Sequence, residues 1–330
     1  MRIVDSCPIC GERQFERLFT RAVCHPGDDL YANLLDLDYV RNYILFEKVL
    51  HRRDAMEFTF LLCSNCGLIL FSPRPEDEDM AIKYAMMDEL RDTELRDSQK
   101  PPPIYDDTRA REIHNSISRF REPGDLSVVD VGGANGYNLK YFAGRNSCFV
   151  VDYGERDLID GVSYLCKTTS EIPDTMRFDV VLCCHTLEHM VDPVNEVMSI
   201  RRALSPGGLL YVEVPLGCHN EYEHTKNYLT HINFFSEGSV RQLFSECNMK
   251  LRYIKTKLTT VRWFRWLSLV AIAENGPSAE AYSNGYELTR QQMSNPLYAL
   301  CKYLGFQRAR FDRIVSHLAA RLNLEHLKRE

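Results

Sequence analysis

The feature that most restricts the fold of this chain is a regular alternation of apolar strands and helix-length connections that begins at Leu126. Runs rich in Val, Leu and Tyr predict strands at residues 126–131, 148–152, 162–166, 178–183, 209–214, 250–257 and 267–274. Helices are predicted between them, at residues 192–204 and 236–247. Strands joined by helical crossovers form a parallel sheet that is covered on both faces. The sequence therefore predicts an α/β protein with a doubly wound, seven-stranded sheet.

The remainder of the chain divides around this α/β domain, which we place at residues 123–274. Residues 1–75 carry two Cys-x-x-Cys pairs separated by a stretch of helical periodicity. Residues 76–122 are charged and helical in character, and we interpret them as a helical linker or cap. Residues 275–330 predict a helical C-terminal extension, which together with the aromatic run around Trp263 is a candidate homodimer surface.

A glycine-rich loop follows the first predicted strand, in the segment Asp130-Val-Gly-Gly-Ala-Asn-Gly136. Glycines let the backbone turn sharply and approach a ligand closely. In a doubly wound sheet this loop lies at the carboxyl ends of the strands, where ligands bind. A dinucleotide fingerprint needs glycines at the first, third and sixth places, but Ala134 and Tyr137 occupy the third and sixth places after Gly132.

Two carboxylates near this loop indicate the kind of ligand. Asp130 lies two positions before the first glycine, where it suits a cofactor that carries an amino-acid end and a cation. Asp152 ends the second predicted strand, where a carboxylate can accept two hydrogen bonds from ribose hydroxyls.

Three segments, in order, resemble motifs of class I S-adenosylmethionine (SAM)-dependent methyltransferases. Residues 130–136 resemble the first motif, residues 178–193 the fourth-strand segment and residues 204–215 the start of the fifth strand. The resemblance implies a Rossmann-like methyltransferase sheet, with SAM as the cofactor. Ala134 replaces the usual middle glycine, but we expect the loop to form because alanine is the smallest replacement. The implied cofactor-binding residues are Asp130, Gly132, Gly133, Ala134, Gly136, Asp152, Ser170, Cys184 and His185.

Two cysteine pairs, Cys7-Pro-Ile-Cys10 and Cys63-Ser-Asn-Cys66, are each followed by glycine. Four thiolates satisfy tetrahedral zinc, and a site closed in this way is structural. We therefore predict a zinc ribbon with a helical insertion between the pairs, although ordinary buried cysteines are the alternative. Cys24 and His25 fall within the insertion and are rival ligands.

An N-terminal zinc module before a class I domain resembles sugar C-methyltransferases and related enzymes of glycan and secondary-metabolite pathways. In their motif a tyrosine, a glutamate and a histidine serve the acceptor, and Tyr228 and His231 match the tyrosine and the histidine. Thr230 stands where the glutamate would be, which favours oxygen over carbon as the methylated atom. His231 is the candidate general base, with Tyr228 and His185 as further catalytic candidates.

Charge and composition limit the classes of partner that we expect this protein to bind. The net charge is −6, which argues against a broad nucleic-acid footprint. The N-terminus lacks a signal-peptide pattern, and the apolar run at residues 267–273 is too short to cross a bilayer. We therefore expect a cytoplasmic protein without a membrane span, whose 12 cysteines are thiols or metal ligands.

The sequence favours methyl transfer to a hydroxyl of a small acceptor, with a sugar, a nucleotide-sugar or a glycan-pathway intermediate as the candidate class. One alternative is an RNA methyltransferase that uses the zinc module to bind its substrate, since one rRNA methyltransferase family carries such a ribbon. The other alternative is a SAM-binding or zinc-ribbon interaction protein without catalysis.

Overall fold

The computed structural model describes residues 1–28, 30, 36–91, 107–122, 124–154, 157–220, 222–226, 228–261, 264–277 and 282–296. Trp263 and the C-terminal stretch from residue 297 lie outside the described residues. Within the described part of the chain, no helix combines the length and the apolar character that a membrane crossing requires.

The N-terminal region forms a three-stranded antiparallel sheet beside a short helix. The strands are β1 (Phe15–Cys24), β2 (Ala55–Cys63) and β3 (Ile69–Ser72), in the order β1-β2-β3. Helix α1 (Leu37–Ile44) begins at Asp36, whose side chain accepts hydrogen bonds from two backbone N–H groups, and it continues into a π-helical turn (Leu45–Val49).

The predicted helical insertion between the cysteine pairs is therefore only partly correct, because the segment also contains strands β1 and β2 on either side of helix α1. Strand β1 is half-buried along most of its length and carries charged residues such as Arg17 and Arg21. Charged positions in a half-buried strand weaken its hydrophobic period, so the sequence pattern does not reveal it.

Two helices lie between the small sheet and the α/β domain in sequence. Helix α2 (Asp77–Arg91) has three acidic residues in its first turn, where they interact favourably with the helix dipole. Helix α3 (Asp107–Ile117) packs one side into the core through Ala110, Ile113 and Ile117.

The central sheet has the seven strands that the sequence predicts, which confirms the fold class. Their order is β6-β5-β4-β7-β8-β10-β9. Strands β4 to β8 pair in parallel, whereas β10 is antiparallel to both β8 and β9. A two-residue connection from β9 to β10 leaves no room for a crossover, so this last pair must be antiparallel. The strands are β4 (Ser127–Val131), β5 (Ser147–Val151), β6 (Val162–Cys166), β7 (Phe178–Cys184), β8 (Leu204–Pro215), β9 (Lys250–Val261) and β10 (Phe264–Glu274).

Helices α4 (Pro193–Ala203), α5 (Gly217–Asn220), α6 (Glu237–Glu246) and α7 (Gly285–Ser294) complete the described fold. Directly after the glycine loop the chain forms a 3-10 turn (Tyr137–Leu139). No side chain caps this turn, because the preceding residue is a glycine. The predicted C-terminal helical extension is described only through α7.

The small sheet packs directly on the α/β domain through a buried aromatic cluster. Phe58, Phe60 and Phe71 of the small sheet contact Tyr228 and Phe234 of the α/β domain, with ring centroids 4.0 to 6.3 Å apart. A backbone bridge also joins Ile69 to Phe234. The two units therefore share one hydrophobic core, and a change in the small sheet is transmitted to the larger one.

Candidate functional site

The glycine loop turns sharply at the end of β4. Gly132 has a φ of +70°, and a Cβ atom added there would lie 2.4 Å from Oγ1 of Thr186. Ala134 also has a positive φ, +51°, and its backbone N–H donates to Oδ2 of Asp152 at 2.9 Å. The loop thus forms with alanine in place of the middle glycine, and the hydrogen bond to Asp152 offsets part of the backbone strain.

Asp130 lies beneath the loop and is completely buried. Nδ2 of Asn138 donates to its Oδ2 at 3.0 Å, and the loop backbone at Gly133 packs directly against the carboxyl group. Burial raises the pKa of Asp130 to about 7, although the hydrogen bond from Asn138 lowers it. A cationic ligand group close to the loop would favour the ionised form.

Asp152 follows β5 and faces a cleft of about 520 Å³ at the carboxyl ends of the strands. Its two oxygens accept hydrogen bonds from the backbone N–H groups of Ala134 and Gly154. Each carboxylate oxygen keeps a further lone pair, so Asp152 can still accept hydrogen bonds from hydroxyls of a ligand. The cleft volume falls within the usual range for small-molecule sites.

Several of the predicted cofactor-binding residues line this cleft, namely Gly132, Asp152, Ser170 and His185. Others are buried and add no surface to it, namely Asp130, Gly133, Gly136 and Cys184. Ala134 contributes its backbone N–H to Asp152 rather than a surface.

The cleft also contains aromatic residues that were not predicted from the sequence. The rings of Tyr84 in α2 and Tyr153 stack with centroids 5.1 Å apart, and both residues line the cleft. Tyr153 could have been found from its position directly after Asp152. Tyr84 carries no such signal, because the packing of α2 on the sheet is what brings it there.

A buried carboxylate beside the cleft is surrounded by histidines. Oε1 of Glu188 lies 3.3 Å from Nδ1 of His185, 3.9 Å from Nε2 of His189 and 4.0 Å from Nε2 of His231. Burial alone would raise the pKa of Glu188, but the neighbouring histidines lower it to about 2. Burial also lowers the pKa of His189 to about 4. Glu188 is therefore ionised and His189 is neutral at pH 7.

His185 is held between two carboxylates. Its Nδ1 faces Glu188, and its Nε2 lies 3.4 Å from Oε1 of Glu213. Burial lowers the pKa of His185, but the two neighbouring glutamates raise it above its ordinary value. Arg109 and Lys257 also lie 3.6 and 3.3 Å from the Glu213 carboxylate. A histidine that is stabilised as the cation in this way is poorly suited to accept a proton, so its catalytic role stays a prediction.

His231 and His189 lie side by side, with ring centroids 4.8 Å apart. Nδ1 of His189 is 2.8 Å from the carbonyl oxygen of Thr230. A carbonyl oxygen only accepts, so Nδ1 of His189 carries a proton. The sequence places no carboxylate next to His231, because Thr230 occupies the expected position. The structure supplies one from Glu188, which lies 43 positions earlier in the chain.

Tyr228 lies within the aromatic cluster that joins the two sheets. Only 1% of its surface is exposed, and its ring stacks on Phe58 with centroids 4.0 Å apart. It lines a separate surface depression together with Arg21 and Thr225. The catalytic role of Tyr228 stays a prediction, but these contacts favour a packing role.

Removing the Tyr228 ring tests the packing role. We expect Tyr228→Ala to lower the free energy of unfolding by about 3–5 kcal/mol, because a large buried ring leaves a cavity. Tyr228→Phe keeps the stacking and should change stability by less than about 1.5 kcal/mol. Denaturant unfolding of the two variants measures this difference. A loss of turnover in Tyr228→Phe at unchanged stability would instead support a catalytic hydroxyl.

The four cysteines of the two pairs converge at one end of the small sheet. Sγ of Cys7 lies 3.5 Å from Sγ of Cys66, and Sγ of Cys10 lies 3.5 Å from Sγ of Cys63. All four sulfurs are within 4.8 Å of one another. Tetrahedral zinc with Zn–S bonds of about 2.3 Å places its sulfurs about 3.8 Å apart, so the cluster fits that ion.

The rival ligands lie away from this cluster. Residue Phe15, at the start of β1, pairs with Cys63, whereas Cys24, at the far end of the strand, pairs with Ala55. Cys24 is exposed, and Nε2 of His25 lies 3.1 Å from the carboxylate of Glu47. The length of β1 separates both residues from the four sulfurs.

Comparison with known proteins gives one family match. Residues 105–254 match the family model described as a methyltransferase domain. A search of curated proteins finds no match.

Solved structures with a similar chain trace include three methyltransferases. A 1,6-didemethyltoxoflavin-N1-methyltransferase from Burkholderia thailandensis has 15% identity and a TM-score of 0.47, over 66% of this chain and 96% of that chain. A SAM-dependent methyltransferase from Methanosarcina mazei has 18% identity and a TM-score of 0.40, over 49% and 98%. The N-methyltransferase NodS from Bradyrhizobium japonicum has 17% identity and a TM-score of 0.39, over 52% and 98%. These likenesses are too distant to bear on the substrate.

Proposed function

We propose that this chain is a SAM-dependent methyltransferase that transfers a methyl group to a hydroxyl of a small acceptor, with His231 as the general base. The candidate acceptors are sugars, nucleotide-sugars and related glycan-pathway intermediates, as the sequence resemblance implies. The observation that carries the proposal is the buried, ionised Glu188, whose Oε1 lies 4.0 Å from Nε2 of His231 next to the cleft. His231 is not among the residues that line the cleft, but it packs against His189, which does line it, and its side chain is 27% exposed.

SAM, when bound, supplies a methyl group on a positively charged sulfonium sulfur. We propose that Asp152 accepts hydrogen bonds from its ribose hydroxyls, because this carboxylate faces the cleft and has free lone pairs. Asp130 would place negative charge under the methionine end. The stacked rings of Tyr84 and Tyr153 add an apolar surface to the same cleft.

The acceptor hydroxyl must lose its proton as its oxygen is methylated. In the proposed reaction that proton moves to His231, and the resulting imidazolium lies beside the carboxylate of Glu188. An ionised carboxylate next to the base stabilises the positive charge that develops on it. Glu188 thus supplies the carboxylate that is missing at position 230. A hydroxyl acceptor also needs less activation than a carbon acceptor.

We also propose that Cys7, Cys10, Cys63 and Cys66 hold a structural zinc ion. The spacing of the sulfurs supports this, and a four-thiolate site leaves no open position for a substrate. The zinc would stabilise the small sheet that packs on the α/β domain. The RNA methyltransferase and the non-catalytic binding protein remain the alternatives.

Replacing His231 tests the proposed base. We expect His231→Ala to lower turnover by about 10²- to 10⁴-fold, because general-base catalysis contributes that much. Acceptors would first be identified by screening nucleotide-sugars and other hydroxylated small molecules with methyl-labelled SAM. The exposed His224 provides a matched control, and His224→Ala should keep full activity.

Binding of S-adenosylhomocysteine, measured by calorimetry, should be the same in wild type, His231→Ala and His224→Ala. Equal turnover by His231→Ala and wild type would remove His231 as the base. Cofactor binding without turnover on any acceptor would favour the non-catalytic alternative.

A further inference from the structure

The cluster of Glu188, His189 and His231 has the composition of a metal site that is separate from the four cysteines. We propose that these three side chains bind a divalent cation of the first transition row, such as Mn²⁺ or Co²⁺, next to the acceptor. Two imidazoles and one carboxylate with open positions are typical ligands for such ions. The part of this inference that concerns the acceptor rests on the proposed function, whereas binding of the ion does not.

The distances suit one small ion. One ligand atom from each of the three side chains lies within 4.8 Å of the other two. A metal ion lies about 2.1 Å from imidazole nitrogens and carboxylate oxygens, so two of its ligand atoms are at most about 4.2 Å apart. Oε1 of Glu188 is 3.9 Å from Nε2 of His189 and 4.0 Å from Nε2 of His231. Small side-chain rotations would therefore complete the coordination.

The hydrogen bonding of His189 leaves the correct nitrogen available. Because Nδ1 of His189 donates to the carbonyl oxygen of Thr230, its Nε2 carries a lone pair in the neutral ring. Nε2 of His189 lies 3.9 Å from Oε1 of Glu188, so one ion could bind both atoms. A backbone carbonyl on the other ring nitrogen is the usual support for a metal-bound histidine.

The buried carboxylate of Glu188 can accept a second cationic partner in addition to His185. Glu188 is 1% exposed, and among the residues that the structure describes neither of its side-chain oxygens accepts a hydrogen bond of good geometry. His185, with Nδ1 at 3.3 Å, is its nearest charged neighbour. A buried carboxylate without hydrogen bonds is costly, and a bound cation would remove this cost.

The ion would also assist the proposed methyl transfer. In the absence of an acceptor all three side chains ligate the ion. An acceptor hydroxyl that replaces His231 on the ion becomes more acidic, because the cation stabilises the alkoxide. Its O–H bond breaks, the proton moves to the freed Nε2 of His231, and the oxygen takes the methyl group from the sulfonium, which leaves as a neutral thioether.

Cobalt binding tests the site without any acceptor. Full-length protein whose four-cysteine site is filled with zinc would be titrated with Co²⁺. We expect one additional Co²⁺ per chain, with visible absorption that lacks the intense sulfur-to-cobalt charge-transfer band of a thiolate site. Glu188→Gln and His189→Ala should each weaken this binding at least about 10- to 100-fold. Retained zinc and retained S-adenosylhomocysteine affinity would show that the variants fold.

Two further variants locate the ion. His25, Asp28 and Glu47 form another cluster of potential ligands, so Glu47→Gln controls for that position and His224→Ala controls for a surface histidine. Both should bind Co²⁺ like wild type. The inference fails if wild type binds no additional Co²⁺, or if Glu47→Gln loses the ion while Glu188→Gln and His189→Ala keep it. Cobalt binding by the wild type, together with full turnover in His231→Ala, would contradict the proposed base and leave the metal site standing.

Discussion

Replacing Cys66 with serine is expected to release zinc and to lower the melting temperature by about 10 °C. A serine hydroxyl does not replace a thiolate ligand, and structural zinc contributes about 10–16 kcal/mol of apparent binding energy in zinc fingers. Each kcal/mol of lost stability lowers the melting temperature of a domain of this size by about 2–4 °C. Loss of only a few kcal/mol therefore gives a decrease of about 10 °C.

The effect should extend beyond the small sheet. A Cβ atom added at Gly285, in the first turn of α7, would lie 2.5 Å from the carbonyl oxygen of Cys66. Gly67, with a φ of +73°, packs just as closely against Thr289 of the same helix. Helix α7 therefore packs directly against the turn at Cys66 and Gly67. Loss of the proposed zinc would destabilise both this turn and the helix.

The control for this experiment is Cys24→Ser, because Cys24 is exposed and lies at the far end of β1. Its melting temperature and zinc content should match those of wild type. The measurements are thermal unfolding followed by circular dichroism and metal analysis of protein purified without a chelator. Less than about one zinc per wild-type chain, or an unchanged Cys66→Ser, would contradict the four-thiolate site.

Replacing Asp152 with alanine is expected to weaken binding of S-adenosylhomocysteine by about 10- to 100-fold. Hydrogen bonds to a charged group contribute about 1.5–3 kcal/mol, and tenfold in affinity corresponds to about 1.4 kcal/mol. The substitution removes the proposed ribose contacts and also releases the backbone of Ala134 and Gly154. Both effects act on the same side of the cleft.

Calorimetry with S-adenosylhomocysteine measures this loss, and the exposed Asp160 provides a matched control. Asp160→Ala should bind the cofactor product like wild type. Asp152→Asn keeps the shape of the side chain but removes its charge. Its affinity for S-adenosylhomocysteine should therefore lie between those of wild type and Asp152→Ala. An unchanged affinity in Asp152→Ala would show that the cofactor does not use this carboxylate.

The central sheet could be predicted closely because its strands are apolar on both faces. Strands β4, β5, β7 and β8 are mostly buried on both sides, so each appears as a largely apolar run. The small N-terminal sheet could not be predicted in the same way, since the half-buried β1 mixes charged and apolar residues.

The sequence alone determined which chemical groups are available: a glycine loop with flanking aspartates, two cysteine pairs and a histidine-rich stretch after the fifth strand of the sheet. These signals are local, because each depends on residues that are neighbours in the chain. The tertiary structure decided how Glu188 meets His231, how Tyr228 is buried against the small sheet, and how Tyr84 reaches the cleft. Such contacts join residues far apart in sequence, and they exist only once packing of the apolar core has brought separate strands and helices together.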